Sequence, residues 1–252
     1  MKILAITQAR LGSSRLNEKV LKKINGETIL EIHLKRILKS KLITKLKVAT
    51  TTEEGNEKIT SIASKLGLET YRGSIDNVLE RFYFTALPEN PDWVVRLTSD
   101  CPLIDAEVID KVINFAISQN LDYVSNTMDP TFPDGLDVEI FKFSALIKAY
   151  KEANLKSELE HVTPYIWKNS TFKKGSIFKS DCYKNDIDYS SIRLTVDTIE
   201  DFLVIERLIN LLGTDKTWIE YVNALNENLD IKMINDKYSR NEGYEKSIKG
   251  DK

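Results

Sequence analysis

Cysteine is almost missing from this chain. There are two in 252 residues, Cys101 and Cys182, far apart and in no CxxC pair. With no signal-peptide pattern either, a disulfide framework is not expected and a reducing cytoplasm is the expected setting. Long apolar runs are also missing. The N-terminal "MKILAI" is short, and nothing approaches the roughly 20 residues a membrane-spanning helix needs. No excess of either charge is present: 36 basic residues face 38 acidic ones, a formal net charge of -2. A dedicated nucleic-acid binder carries a basic excess, so that class is set aside and any anion recognition has to be local. The phosphate motifs GxxxxGK[ST] and GxGxxG do not occur, and no internal repeat is visible.

What is there begins with a composition of 42% hydrophobic and 29% charged residues, enough for one large core. Short β-branched runs alternate with longer helical patterns through the first half. "ILAIT", "KLKVATT", "LETYRG", "DWVVRLTSD" and "DYVSN" read as strands. The stretches "TILEIHLKRILKS", "EEGNEKITSIASKLG", "NVLERFYFTALPE" and "AEVIDKVINFAISQ" read as helices. This alternation predicts right-handed βαβ units, a mostly parallel sheet and an α/β class. Residues 1–234 are expected to form one domain. Within it, 126–189 breaks the rhythm and reads as an inserted segment with its own small sheet, including strand, turn and strand over "FKKGSIFKS". "SIRLTVDTIEDFLVIERLINLLG" returns to strand, polar turn and helix, and 235–252 is polar and expected to be a flexible tail.

Ligands on parallel sheets sit at the carboxyl ends of strands, which directs attention to three places. The first follows Thr7. In "QARLGSSRLNEK", Gly12, Ser13 and Ser14 offer backbone N–H groups that can wrap a phosphate, and Arg10, Arg15 and Lys19 offer neutralising charge. An ordinary loop with solvated cations fits equally well. The second is "RLTSDCPLID", where Asp100 follows a buried strand and suits either a divalent metal or a turn. Asp105 is read as the N-cap of the next helix. The third is "RLTVDTIEDF", where Asp197 ends an apolar run and suits a metal or a helix cap with Glu200. Two strand-end carboxylates beside a cationic loop supply what phosphoryl or nucleotidyl transfer needs. His33 is read as structural, Cys101 as a small buried filler, "RFYF" at 81–84 as helix core, and Trp93, Trp167 and Trp218 as packing residues. His161 is open between a structural and a site role.

These stretches resemble a known family. "QARLGSSRLNEK" is similar to the signature ARxxSxRLPxK of the cytidylyltransferases that activate acidic sugars. "RGSIDNVLERFY", "RLTSDCPLID", "PDGLDVEIF", "EHVTPYIW" and "RLTVDTIEDF" follow in the order of the spore coat polysaccharide biosynthesis protein F (SpsF-like) branch. The resemblance implies a three-layer α/β/α nucleotide-diphospho-sugar transferase fold with a protruding middle segment used for dimerisation, hence a homodimer. It implies Mg²⁺-dependent transfer of CMP from CTP to a small acidic acceptor, with pyrophosphate released. Arg10, Gly12, Ser13, Ser14, Arg15 and Lys19 fall on its triphosphate loop, and Ala9 and Arg96 on its base or ribose contacts. Asp100 and Asp197 match its metal aspartates. Asp134, Gly135, Asp137, Glu139, Glu160 and His161 fall in the acceptor region. Three positions depart from the pattern: Asn17 replaces Pro, Asp134 stands where Arg is frequent, and Leu159 replaces the Arg before Glu-His. Two fewer cations speak against a strongly anionic acceptor. A nucleotidyltransferase using another nucleotide, or a non-catalytic nucleotide-binding partner protein, are the alternatives. A glycosyltransferase is less well matched, since "TSDCP" has one Asp and no DxD.

Overall fold

Alternating apolar side chains dictate the architecture. The computed structural model describes residues 1–12, 15–240 and 242–251, with the backbone alone at 246; Ser13 and Ser14 lie outside the described residues. The first strand, β1 (Ile3–Gln8), leads through the catalytic-candidate loop to a two-residue hairpin, β2 (Lys23–Ile24) and β3 (Glu27–Thr28). Its turn is Asn25-Gly26, with φ of 51° and 87°. Such left-handed pairs are what Asn-Gly supplies in tight hairpins. Helix α1 (Ile29–Ile37) then starts at a capping box, with Thr28 Oγ1 accepting from the Glu31 amide and Glu31 accepting from the Thr28 amide. The chain continues as β4 (Lys45–Thr51), α2 (Glu57–Lys65), β5 (Glu69–Gly73), α3 (Val78–Ala86), β6 (Trp93–Thr98), α4 (Ala106–Ser118) and β7 (Tyr123–Ser125).

The middle segment adds β8 (Glu139–Lys142), α5 (Phe143–Glu152), α6 (Lys156–His161), α7 (Pro164–Lys168) and β9 (Ser180–Cys182). Its strands do not form a separate small sheet. The seven-stranded sheet runs β5-β4-β1-β6-β8-β7-β9, with β8 antiparallel to both neighbours. The reason lies in the side chains: Ile140 and Phe141 point to opposite faces and enter the two cores already begun by β1 and β6. Likewise "FKKGSIFKS" makes a single-turn 3₁₀ helix and leads into β9, not a hairpin of its own.

Period-two alternation sorts the sheet into two cores. Ile3, Ala5, Val95 and Leu97 face α1, α2 and α4, while Leu4, Ile6 and Val94 face α3, α5 and α7. Helices on both faces make three layers. A third cluster joins the outer side of α1 to α8 (Ile199–Leu212) and α9 (Trp218–Glu227) through Leu194 and Val196. "SIRLTV" is extended but enters no ladder beyond one bridge between Arg193 and Asp134. The chain ends in α10 (Leu229–Lys232) and α11 (Glu242–Ile248). The polar C-terminal residues are laid back across the molecule, because Arg240 reaches Asp137, Ser247 reaches Glu160 and Asp251 reaches Ser157. Among the described residues no helix is long and apolar enough to cross a membrane.

Candidate active site

In the parallel register of β1 and β6, Gln8 lies opposite Thr98, so the loops that follow leave the sheet side by side. The first loop is closed when the Glu18 amide donates to the Leu11 carbonyl at 3.2 Å. Glu18 takes a left-handed conformation, φ 49°, and turns the chain into a single 3₁₀ turn that begins with Lys19. The second loop presents Asp100. Its carbonyl accepts from the Val196 amide at 2.8 Å, which brings the 193–198 segment, and with it Asp197, against the same spot.

The result is a three-way junction. Lys19 Nζ donates to Asp100 Oδ2 and to Asp197 Oδ1, both at 2.8 Å. Burial alone would depress the Lys19 ammonium, but the two carboxylates outweigh it and push its pKa up to about 12. For Asp100, burial would raise the carboxyl; Lys19 overrides that and holds it well below the usual carboxylate range. Arg15 reaches the other Asp197 oxygen at 2.9 Å and Glu242 at 3.1 Å.

Asp197 is not the helix cap. Thr198 caps α8, its hydroxyl accepting from the Asp201 amide, and Asp201, not Glu200, completes the box. Asp201 is fully buried and also accepts from the Asp197 amide at 3.0 Å and from Arg193 Nε at 2.8 Å. Arg193 in turn holds Asp134 at 2.6 Å and Asp197 at 3.2 Å. Sequence reasoning missed Arg193 and Asp201; the i, i+4 and i, i+8 spacings to Asp197 and Asp201 along "RLTVDTIED" were the available signal. Asp134, expected near an acceptor, anchors this network instead of standing free. Gly135 is fixed by a close approach: at φ 108° a Cβ would lie 2.5 Å from the Leu194 carbonyl carbon.

On the far side of β1, Ala9 spends its amide on the Ala49 carbonyl at 3.1 Å, and Arg10 is exposed. Arg81 is buried with Nε and Nη1 unpartnered among the described residues. Burial and then the neighbouring Arg10 lower its pKa to about 10. A buried guanidinium with open donors is a cost that a bound anion or carbonyl removes. The sequence treated "RFYF" as core, which holds for Phe82, whereas Tyr83 stacks on Tyr150 at 4.0 Å near the surface.

Arg96 faces the other way. It lies directly across from Glu139 in the β6–β8 ladder and forms an ion pair with it. Tyr123 and Thr163 hydroxyls also donate to Glu139 Oε1, each at 2.6 Å. These residues line a cavity of about 330 Å³ together with Asp137, His161, Trp167 and Tyr244. Trp167 therefore has a second surface besides packing. His161 bonds Ser247 at 2.9 Å, and burial followed by Arg96 lowers its pKa to about 4. Glu160 accepts from the same Ser247 hydroxyl at 2.8 Å. Three expectations are plain in the geometry: Asp105 caps α4 through the Glu107 and Val108 amides, His33 is wholly buried between Thr7 and the Cys101 carbonyl, and the Cys101 thiol is buried and pushed up.

Among the described residues no cluster of three or more His, Cys, Asp or Glu suits a metal. Asp100 and Asp197 nonetheless converge on one ammonium, and around them five aspartates (100, 134, 137, 197, 201) face four cations (Arg15, Lys19, Arg193, Arg240). Mg²⁺ takes one or two carboxylates and fills its remaining positions with water and substrate phosphates. The donor set therefore fits that ion.

A family model described as cytidylyltransferase matches residues 4–237. The spore coat polysaccharide biosynthesis protein SpsF of Bacillus subtilis is 32% identical, covering 90% of this chain and 95% of its own. An uncharacterized protein of Methanocaldococcus jannaschii is 40% identical over 93% of this chain and 95% of its own. Among solved structures, a cytidylyltransferase from Leptospira borgpetersenii superposes with a TM-score of 0.86 at 35% identity, covering 92% of this chain and 97% of that one.

Proposed function

Since the chain belongs to the cytidylyltransferase family and is a nucleotidyltransferase, we propose that it transfers CMP from CTP to a small acidic acceptor, an acidic sugar, and releases pyrophosphate. The observation that carries this reading is Lys19 clamped between Asp100 and Asp197 with Arg15 alongside. Cations and carboxylates at strand ends are arranged for a triphosphate and its counter-ion. Asp100 and Asp197 are the residues to hold Mg²⁺. Bound there, the ion supplies neutralisation and polarisation of phosphate oxygens.

The chain's own residues do the rest. Lys19 and Arg15 exchange their carboxylate partners for phosphate oxygens, and so stabilise charge that builds on the departing pyrophosphate. Arg193 keeps Asp197 in place through Asp201. The cavity beside Arg96 holds the acceptor so that its oxygen lies in line with the α-phosphorus. One P–O bond forms there as the bond to pyrophosphate breaks, and the proton of the acceptor hydroxyl passes to solvent. The SpsF name supports a product destined for surface polysaccharide or glycan synthesis.

The test is pyrophosphate release from CTP, UTP, GTP and ATP with Mg²⁺ and a panel of acidic sugars. Release with CTP and at least one acid is the expected result. CTP binding without release for any acceptor would favour a non-catalytic nucleotide-binding protein. Release from another nucleotide instead would move the chain to a different specificity.

A further inference from the structure

Arg240 lies outside residues 4–237, the span that the family model matches, yet its side chain is only 12% exposed and sits among the aspartates of the cleft. Burial works against its charge; Asp137 and then Asp134 outweigh that, and its pKa is raised. Every arm of the guanidinium meets one short turn. Nη2 pairs with Asp137, Nη1 donates to the Phe132 carbonyl at 3.1 Å, and Nε lies 3.9 Å from Asp134 Oδ1. A planar fork that spans three groups fixes their relative positions, which a point charge does not. Among the described residues no other cation pairs with Asp137.

The turn held in this way is joined to the segment that carries Asp197. The Asp134 amide donates to the Ile192 carbonyl at 2.9 Å, and the Leu194 amide donates to the Asp134 carbonyl at 2.6 Å. At Gly135 the two backbones come so close that a Cβ would meet Leu194, so neither can shift alone. Side chains repeat the link. Asp134 Oδ2 accepts from Arg193 Nη1 at 2.6 Å, and Arg193 Nη2 reaches Asp197 at 3.2 Å. Charges therefore alternate in sign from Arg240 through Asp134, Arg193, Asp197 and Lys19 to Asp100.

Resting on the cytidylyltransferase reading, which makes Asp197 a carboxylate for Mg²⁺, we propose that Arg240 is a positioning residue: it staples the 132–137 turn and so holds the 193–197 segment where Asp197 meets Asp100. Arg240 is in this sense one of the charges of the Lys19 junction. It acts through Asp134 and Arg193 and not by contact with the reacting atoms.

Three measurements on the full chain test this: hydrogen exchange of the backbone amides over 192–198, titration with CTP at stepped Mg²⁺ concentrations and again in chelator, and urea unfolding. Arg240→Met keeps an aliphatic stem and removes the fork. Exchange at Leu194 and Val196 is expected to quicken roughly tenfold, while the amides of β1 and β4 keep their rates. The Mg²⁺ concentration that half-saturates CTP binding is expected to rise roughly 3–10-fold, less than for a direct partner of a metal ligand because Arg240 acts one residue further out. CTP affinity in chelator is expected to stay within about twofold, because Arg15 and Lys19 remain. Asp251→Ala loosens the far end of the same tail at Ser157 and is expected to alter neither the exchange nor the Mg²⁺ requirement.

Unchanged exchange over 192–198 in Arg240→Met overturns the proposal, as does an unchanged Mg²⁺ requirement. An effect of equal size in Asp251→Ala also overturns it, since attachment of the tail would then be the cause. So does faster exchange spread evenly over β1, β4 and 192–198 with a matching loss in urea, which is plain destabilisation. A wild-type chain that binds no CTP, with or without Mg²⁺, would overturn the nucleotide reading; faster exchange confined to 192–198 in Arg240→Met would leave the staple standing.

Discussion

The two halves of the cleft are assembled in opposite ways. The Lys19 half is made by two strand ends, after β1 and after β6, and by the 193–198 segment: Asp100 and Asp197 follow their apolar runs closely, and Lys19 is brought back to them by the turn at Glu18. The Arg96 half is made by residues from β6, β7, β8, the α6–α7 turn and α11, from Arg96 to Tyr244 in the chain. The first half is a local consequence of where strands stop. The second exists only after the sheet, the middle segment and the C-terminus have packed. A site of the first kind tolerates change around it and fails when its own charges are touched. A site of the second kind fails when its supports are touched.

The largest effect should come from the first half. Asp100→Ala removes one of the two carboxylates that face Lys19, and turnover should fall by roughly 10²–10³ or more, the usual cost of losing a preorganised charge at the reaction centre. Lys19 keeps Asp197 as a partner at 2.8 Å, so thermal unfolding should move little. Pyrophosphate release together with a melting curve reads both. Full activity in this variant would remove Asp100 from the chemistry.

Next comes the support of the second half. Glu139→Gln leaves the Arg96 guanidinium without its counter-charge in a place where both side chains are largely buried, 13% and 8% exposed. Breaking such a pair from one side costs roughly 3–5 kcal/mol. Urea unfolding should show that loss while CTP affinity is nearly unchanged. A loss under about 1 kcal/mol would mean that Arg96 is better solvated than its surroundings imply, and would erase the contrast between the halves.

A third effect runs through pH. His33 sits beneath the first half with Thr7 Oγ1 and the Cys101 carbonyl each 2.8 Å from a ring nitrogen, and burial lowers its pKa from 6.5 to about 4. Between those values the unfolded chain holds a proton that the folded chain does not. Its contribution is therefore complete above pH 6.5 and is lost as pH falls toward 4, by about 3 kcal/mol in all. Chemical denaturation at pH 7 and pH 4.5 should show a smaller drop in His33→Gln than in the wild type. An equal drop would mean that carboxylates alone set the acid limb.

How much of this was legible in the sequence follows the same division. The α/β alternation, the cap at Asp105, the buried His33 and the meeting of Lys19, Asp100 and Asp197 could all be anticipated, because each depends on a strand end or one helical turn. Of the two roles open for Asp197, the cap of α8 falls to its neighbour: both residue types suit an N-cap, and it is the Thr198 hydroxyl that accepts from the Asp201 amide. The separate sheet expected within 126–189 failed because β8 is short and finds its partners in β6 and β7, both of which precede that segment and belong to the main sheet. Tyr244 and Arg240 were invisible among polar neighbours. No periodicity announces a helix of seven residues held by ion pairs and hydroxyls.

The smallest effect is the one that separates the halves most directly. Arg15 and Glu242 link the phosphate-loop side to α11 at 3.1 Å, with side chains 30% and 33% exposed. An ion pair that wet is worth under about 1 kcal/mol, so Glu242→Gln should change the unfolding midpoint hardly at all. Its effect on binding is more informative. Glu242 competes with phosphate for Arg15, which is also held by Asp197 at 2.9 Å. Removing it should therefore tighten CTP binding by a factor of roughly 2–3, the equivalent of a few tenths of a kcal/mol, and leave acid binding in the Arg96 cavity unaltered. Weaker CTP binding in the variant would show that Glu242 orients Arg15 for the nucleotide, and the two halves would then be one cooperative unit joined through α11.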